Sequence, residues 1–349
     1  MGGDRAGGSA PARLDPSTRV HIVSGKGGTG KTTVAAALAI ALADTGKSVL
    51  LCEVEGRQGI ARLFDLDPLP YAERRITTSA TSGQLYGLHI DAEAAFLEYL
   101  QLYYHLGPAG RALDRFGVID FATTIAPGVR DVLLTGKVYE AAKRDRRGGG
   151  RSYDAVVLDA PPTGRITQFL GVNNELAGLA KVGPIKSQAD SVTRLLTSVQ
   201  TAVHFVTLLE EMPVQETIDA TAELAAAGLR LGAVIVNQVR TPVLTDATRS
   251  AAWSGALDRG ELAADLTHAH VIPTPELIDA LAGLGREHAE RRLLEDEESA
   301  RLTAEGLPTV ALPRLSGGID EGALRDLALQ LTAQLLSPSA PVPPGRSRR

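Results

Sequence analysis

Short runs of β-branched and apolar residues recur along the chain and alternate with longer stretches of helical periodicity. Such runs, when turn residues bound them, are typical of strands buried on both faces of a parallel sheet. Strands that alternate with helices predict an α/β fold with a doubly wound, mostly parallel sheet and right-handed crossovers. The predicted strands are residues 20–24, 48–54, 85–90, 154–159, 204–209, 233–237 and 309–313.

Two long stretches interrupt this alternation. Residues 91–147 and about 164–202 favour helix and contain no good strand pattern. We therefore predict a helical subdomain inserted in the sheet domain. Residues 1–17 and 337–349 are rich in Gly, Ala, Pro and Ser, which predicts two disordered tails around an ordered domain of residues 18–336.

Composition narrows the class of protein. Apolar residues make up 44% of the 349 residues, enough for a substantial core, and the net charge of −5 argues against a dedicated nucleic-acid binder. The single cysteine, Cys52, excludes a disulfide framework or a multi-thiolate zinc site within one chain.

The location of the protein is predicted from its apolar stretches. The N-terminus has no apolar signal-peptide core, so a cytoplasmic protein is expected. The longest apolar stretch, residues 34–43, is about half a membrane span, so it predicts a buried helix and no stable membrane insertion.

The stretch SGKGGTGKTT fits the phosphate-loop pattern G-x-x-x-x-G-K-[ST] between a predicted strand and a predicted helix. Its glycines allow backbone N–H groups to turn toward phosphates, and the helix N-terminus adds partial positive charge. We expect Lys31 to contact the β and γ phosphates of ATP and the Thr32 hydroxyl to hold Mg²⁺. The predicted ATP-binding residues of this loop are Gly25, Lys26, Gly27, Gly28, Thr29, Gly30, Lys31, Thr32 and Thr33.

Polar residues at the ends of other predicted strands extend this P-loop site. The sequence DAPPTG places Asp159 at the tip of a buried strand, where a carboxylate reaches Mg²⁺ through water. Glu53 and Glu55 lie at the end of another strand and point to the same side if the strand continues; one could orient a water molecule toward the γ phosphate, or both could be solvated carboxylates at a strand end. Asn237 ends a further strand with an amide that suits the edge of an adenine ring.

Together these motifs resemble the ArsA-like ATPases, a family with a deviant phosphate loop, and the resemblance covers roughly residues 19–336. The family loop K-G-G-x-G-K-T stands here as KGGTGKT, and its D-x-x-P-T-G switch stands here as DAPPTG. Its Asn-Gln adenine contact looks like VNQV, and its P-G-x-x-[DE] helix start looks like PGVRD. The fit is closest to a bacterial subgroup of single-length anion-transporting ATPases.

The resemblance implies roles for particular residues. The catalytic candidates are Lys26, Lys31 and Glu55. In the family the residue that corresponds to Lys26 reaches across a dimer to the partner's phosphates, and Glu55 stands where the family has a water-orienting Asp. The longer Glu55 side chain predicts slow hydrolysis. The resemblance also implies a switch II segment with Asp159, Pro162, Thr163 and Gly164, adenine contacts by Asn237 and Gln238, and a covering loop with Pro313.

The resemblance implies a dimer, because one single-length chain supplies half of the paired site. The partner is expected to be a second copy or a paralogous ATPase, with an unidentified client or small-molecule effector at the helical subdomain. Alternatives are a MinD- or ParA-type positioning ATPase, a ligase or kinase of the same fold class, and a hydrolysis-impaired regulatory subunit of a paralogue heterodimer. The sequence has no Met-rich groove or cysteine cluster that would identify a membrane-protein or arsenite client.

Overall fold

The computed structural model describes residues 12–54, 56–78, 83–104, 127–145, 152–179 and 184–336. Residues 1–11 of the predicted N-terminal tail and the whole predicted C-terminal tail, residues 337–349, lie outside this set. Residues 12–17, which the sequence placed in the N-terminal tail, contact the ordered domain. The Leu14 amide donates a hydrogen bond to the Leu335 carbonyl (3.1 Å), and Ala12 is buried. Ordered structure therefore begins before residue 18.

One eight-stranded sheet forms the centre of the described structure. Its strands are β1 (Val20–Gly25), β2 (Ser48–Glu53), β3 (Arg74–Thr78), β4 (Gln84–His89), β5 (Ala155–Asp159), β6 (Thr201–Thr207), β7 (Leu231–Val239) and β8 (Thr309–Pro313). They lie in the order β3-β4-β2-β5-β1-β6-β7-β8. Only the β3–β4 pair is antiparallel, and the other neighbours are parallel. The prediction of a mostly parallel α/β sheet is confirmed.

Helices cover both faces of this sheet. They are α1 (Lys31–Asp44), α2 (Gly59–Leu63), α3 (Ala92–Tyr104), α4 (Pro127–Lys143), α5 (Thr163–Leu179), α6 (Pro184–Leu196), α7 (Glu211–Ala226), α8 (Asp246–Ser254), α9 (Arg259–His268), α10 (Pro275–Ala304) and α11 (Glu321–Leu331). Apolar side chains of α1 and α11 pack on one face, and those of α4, α5 and α6 pack on the other. A smaller cluster joins β7 to α7 and α10.

Each of the seven predicted strands is present, and β3 is the strand that the sequence analysis missed. It reads RRITT and pairs antiparallel with β4 at the edge of the sheet. Edge strands often carry charged residues because these disfavour pairing with another chain. Two arginines therefore concealed a strand that the search for apolar runs could not detect.

The predicted helical insertions correspond to α3 and α4 in the first range and to α5 and α6 in the second. Leu134, Phe169 and Val192 from α4, α5 and α6 belong to one apolar cluster with sheet residues such as Ile22 and Phe205. These described helices thus share a core with the sheet. A separate helical subdomain stays a prediction.

Helix α1 is apolar on nearly all sides, as the run VAAALAIALA predicts. All ten residues from 34 to 43 are buried, and small alanines let the helix lie close to the sheet. Within the described ranges, no helix combines the length and the apolar character needed to cross a bilayer.

Strand β1 lies in the middle of the sheet, and its neighbours fix the surroundings of the phosphate loop. In the parallel register, Val23 of β1 lies beside Asp159 of β5, and Gly25 lies beside Val206 of β6. Since the carboxyl ends of parallel strands share one edge of a sheet, this register brings the phosphate loop, Asp159 and the end of β6 together.

Two histidines on neighbouring strands, His21 in β1 and His204 in β6, lie against each other in the core. His21 Nδ1 and His204 Nε2 are 3.2 Å apart, and both side chains are buried. Burial lowers the pKa of His204 to about 4 and lowers the pKa of His21 well below its ordinary value. The nearby cationic groups Lys47 and Arg230 act in the same direction on His21. Both rings are therefore neutral at pH 7.

This pair predicts loss of stability in mild acid. In the unfolded chain these histidines bind protons below about pH 6.5, but the folded chain resists protonation. As the pH falls from 6.5 to 5, each histidine should lower the free energy of unfolding by on the order of 1.4 kcal/mol per pH unit. Urea unfolding across this range measures the slope, which His204→Leu should reduce. An unaltered slope in His204→Leu would refute the explanation.

Candidate nucleotide-binding site

The phosphate loop connects β1 to α1 and depends on glycine conformations. Gly25, Gly28 and Gly30 have positive φ angles of 155°, 89° and 89°, which side chains with a Cβ rarely adopt. A Cβ on Gly25 would also lie 2.2 Å from the Val206 carbonyl oxygen of β6. The loop thus lies directly against the neighbouring strand, and only glycine fits at its first position.

Hydrogen bonds hold the loop against the end of β7. The Thr29 hydroxyl donates to the Lys26 carbonyl (2.9 Å), which closes a turn inside the loop. The Asn237 side-chain amide donates to the Thr29 carbonyl (2.9 Å). A Cβ on Gly30 would lie 2.5 Å from that amide nitrogen, so this glycine too is required by close packing. Asn237 therefore supports the loop that the sequence predicted to hold phosphates.

Helix α1 begins with Lys31, Thr32 and Thr33. Its first backbone hydrogen bond runs from the Val34 amide to the Gly30 carbonyl (3.0 Å). The amides of the first turn have no intrahelical acceptor, and together with the helix dipole they favour an anion. Its first turn contains no acidic residue, so no carboxylate on the helix itself opposes that field.

Thr32 and Asp159 meet at the edge of the sheet. The Thr32 hydroxyl donates a hydrogen bond of 2.6 Å to Asp159 Oδ2, and Asp159 is 7% exposed at the end of β5. A hydroxyl and a carboxylate are the hard oxygen donors that Mg²⁺ prefers. The arrangement thus fits the predicted pair, in which Thr32 contacts the metal and Asp159 acts through water.

The DAPPTG segment leaves β5 and enters α5. The Ser24 hydroxyl donates to the Pro161 carbonyl (2.6 Å), and the Ala160 amide donates to the Val23 carbonyl (2.9 Å). These bonds fix the segment beside the phosphate loop. Pro162 precedes the helix, Thr163 and Gly164 occupy its first turn, and Thr163 is buried.

The two candidate carboxylates after β2 differ. Glu53 is buried, and its carboxylate accepts hydrogen bonds from the Gly59 and Ile60 amides, both at 3.0 Å. It therefore caps the start of α2 and has a structural role. Glu55 lies outside the described residues. A Cβ on Gly59 would lie 3.0 Å from Thr32 Cγ2, so the start of α2 borders the predicted metal site.

The predicted adenine contacts lie on adjacent strands. Asn237 and Gln238 are near the end of β7, and Pro313 ends β8 beside Val239. Gln238 has a left-handed backbone with φ of 57°, and its side chain is exposed. The structure brings these three residues to one edge of the sheet, on the same side as the phosphate loop.

A connection to the helices runs through Asp131 in α4. Its Oδ1 is 4.0 Å from Nη2 of Arg165, which lies in the first turn of α5. Burial raises the pKa of Asp131, and Arg165 opposes that shift. This pair therefore links the start of α5 to α4.

Glu216 in α7 is a residue that the sequence analysis did not select. Its Oε1 is 2.5 Å from Lys26 Nζ, and its Oε2 accepts a hydrogen bond of 3.2 Å from the Thr163 hydroxyl. One carboxylate therefore contacts both the phosphate loop and the DAPPTG segment. The only signal in the sequence is an acidic residue one turn into a helix that follows a buried strand, which is common.

Known proteins that are similar in sequence to this chain are ATPases, which agrees with the geometry of a nucleotide-binding site. Residues 18–196 match the ArsA_ATPase family, described as anion-transporting ATPase. The chain is 50% identical to the ATPase BagA of Mycobacterium tuberculosis over 94% of this chain and 97% of that protein.

More distant relatives carry other names. An arsenical pump-driving ATPase of Escherichia coli is 27% identical over 78% of this chain and 50% of its own length. The ATPase GET3 of Kluyveromyces lactis is 26% identical over 62% of this chain and 71% of its own length. Given the family match and the near full-length 50% relative, the chain belongs to the ArsA family of ATPases.

Proposed function

We propose that this protein is a dimeric, Mg²⁺-dependent ATPase that uses ATP hydrolysis to open and close the dimer. The observation that carries this proposal is the Thr32–Asp159 hydrogen bond of 2.6 Å directly behind the phosphate loop. In P-loop ATPases these two residue types hold Mg²⁺ beside the β and γ phosphates. The relatives named as ATPases support the same activity.

Each part of the site has a separate task in this proposal. The loop amides and the start of α1 bind the phosphate oxygens, and Lys31 neutralises charge on the β and γ phosphates. Bound Mg²⁺ would supply further neutralisation of the phosphate charge. Asn237 and Gln238 lie beside Pro313 in the sheet edge, where they suit the base. Hydrolysis then depends on orienting a water molecule and on completing the positive charge.

Glu55 is the proposed water-orienting residue. Spacing alone favoured a water-orienting role no more than solvated side chains at a strand end, and the two hydrogen bonds of Glu53 to α2 commit its carboxylate to the backbone. Lys26 is the proposed source of the remaining positive charge, supplied across the dimer as an arginine finger is. We further propose that the second chain is another copy or a paralogous ATPase, and that the helices α3 to α6 contact a client or effector.

Replacement of Asp159 tests the metal site. Asp159→Asn should lower the apparent Mg²⁺ affinity or the turnover about 10- to 100-fold, as losses of residues that support a metal typically do. Phosphate release measured over a series of Mg²⁺ concentrations gives this value. Asp154→Asn is the matched control, because Asp154 precedes the opposite end of the same strand and binds the Ser48 amide. Equal Mg²⁺ dependence in both variants would argue against the assignment.

Glu55→Gln and Glu53→Gln should have different effects. Glu55→Gln should abolish turnover and leave ATP binding intact, because only water activation is lost. Glu53→Gln should instead lower the free energy of unfolding by about 1 kcal/mol, since it weakens the cap on α2. Single-turnover hydrolysis, ATP titration and urea unfolding of both variants separate the two roles. Normal turnover in Glu55→Gln would exclude it as the water-orienting residue.

Lys26→Ala tests the contribution of the second chain. The variant should bind ATP but hydrolyse it on the order of 10³-fold more slowly, and it should lose the ATP-stabilised dimer. Sedimentation and phosphate release at several protein concentrations measure both effects. Lys143→Ala, at an exposed lysine that ends α4, is the control. Full turnover by a dilute, monomeric sample of the wild-type protein would contradict the role of Lys26 in trans. Absence of phosphate release by the wild-type protein, alone and with any paralogue, would favour a regulatory subunit.

A further inference from the structure

The carboxylate of Glu216 connects two parts of the nucleotide site. Lys26 Nζ lies 2.5 Å from Oε1, and the Thr163 hydroxyl lies 3.2 Å from Oε2. Lys26 belongs to the phosphate loop, and Thr163 belongs to the segment that links Asp159 to α5. The two oxygens of one side chain therefore bind a residue from each of the two segments.

Glu216 is supported by the buried face of α7. It lies in α7, where its neighbours Val214, Thr217 and Ala220 are buried. The Thr217 hydroxyl donates to the Pro213 carbonyl (2.7 Å) within the same helix. Lys26 lies in a glycine-rich loop, and Thr163 is the first residue of α5. A change in the position of either segment relative to α7 would therefore stretch one of the two contacts.

The ion pair between Lys26 and Glu216 is weak enough to be reversible. The Lys26 and Glu216 side chains are 32% and 35% exposed, so water partly screens their attraction. Ion pairs with such exposure contribute roughly 0.2–1 kcal/mol. This energy restrains the lysine side chain, yet binding to a phosphate with its greater negative charge can overcome it.

We propose that Glu216 is a positioning residue that holds Lys26 within its own chain and must release it before Lys26 can serve a partner chain. The significance of this release rests on the proposed role of Lys26 in trans. Thr163 orients the same carboxylate through its hydrogen bond, so displacement of the DAPPTG segment loosens the restraint on Lys26. Closure of the dimer is thereby coupled to the state of that segment in each chain.

The test is acetylation of lysine side chains in the full chain, with the rate at each lysine followed by mass spectrometry. An ammonium group paired with a carboxylate is shielded from the reagent. Glu216→Gln should therefore raise the rate at Lys26 by about 1.4- to 5-fold, the factor that corresponds to an ion pair of this exposure. The exposed Lys143 provides the internal reference, and its rate should not change.

A matched control lies on the same helix. Glu223 is two turns from Glu216 in α7, and its carboxylate accepts a hydrogen bond of 3.0 Å from the Thr167 hydroxyl of α5. Glu223→Gln removes the same charge from the same helix and should leave the Lys26 rate unchanged. An equal rate at Lys26 in the wild type and in Glu216→Gln would overturn the proposal. An equal rise in both variants would also overturn it, because the loss of a negative charge anywhere on α7 would then explain the faster acetylation.

The contribution of Thr163 has its own variants. Thr163→Val keeps the shape and removes the hydroxyl, so the Lys26 rate should rise, although by less than in Glu216→Gln. Thr163→Ser keeps the hydroxyl and should restore the wild-type rate. If Thr163→Val leaves the rate unchanged, the coupling to the DAPPTG segment is wrong and only the direct restraint by Glu216 remains.

Dimer formation separates this proposal from the function on which it rests. With a non-hydrolysable ATP analogue, Glu216→Gln should dimerise at a roughly two- to thirtyfold lower protein concentration than wild type in sedimentation experiments, because each dimer releases two such ion pairs. A faster Lys26 rate without this shift would refute the role of Lys26 in trans and leave the restraint in place. A normal Lys26 rate together with ATP-dependent dimers would refute the restraint and leave the proposed function in place.

Discussion

The hydrogen bond between Thr32 and Asp159 joins residues that are 127 positions apart in the chain, and the site depends on the sheet that makes it possible. β1 lies between β5 and β6, and the parallel register sets Val23 beside Asp159 and Gly25 beside Val206. A shift of one residue would turn every side chain of the strand to the opposite face. The glycine loop, the start of α1 and the acidic strand end therefore form one unit.

Charge in this unit is balanced by a helix from elsewhere in the chain. The phosphate loop carries Lys26 and Lys31, and a site that concentrates positive charge needs counter-charges until an anion binds. Glu216 supplies one such charge to Lys26 from α7. Because Glu216 also binds Thr163, electrostatic balance and the position of the DAPPTG segment are linked. The two proposed functions of the site, phosphate binding and response to a partner, thus depend on the same few contacts.

Much of the fold could be predicted because buried parallel strands have a simple pattern. Runs such as VHIVS and AVVLD are apolar on both faces, and all five residues of β5 are buried. β3 escaped because arginines suit an exposed edge strand and hide its pattern. Spacing could not distinguish Glu53 from Glu55, since residues two apart face the same side of a strand. The difference follows from the position of α2, whose Gly59 and Ile60 amides donate hydrogen bonds to Glu53.

The sequence alone determined the chemistry of the phosphate loop, because glycine spacing, a lysine and a threonine between a strand and a helix are local features. It also determined the resemblance to the ArsA-like ATPases, which follows from several such local motifs in order. Only the tertiary structure decided that Lys26 pairs with Glu216, 190 residues later in the chain. The physical reason is that helical periodicity tells which face of α7 is buried, whereas sheet order and register decide which loop its remaining side chains meet.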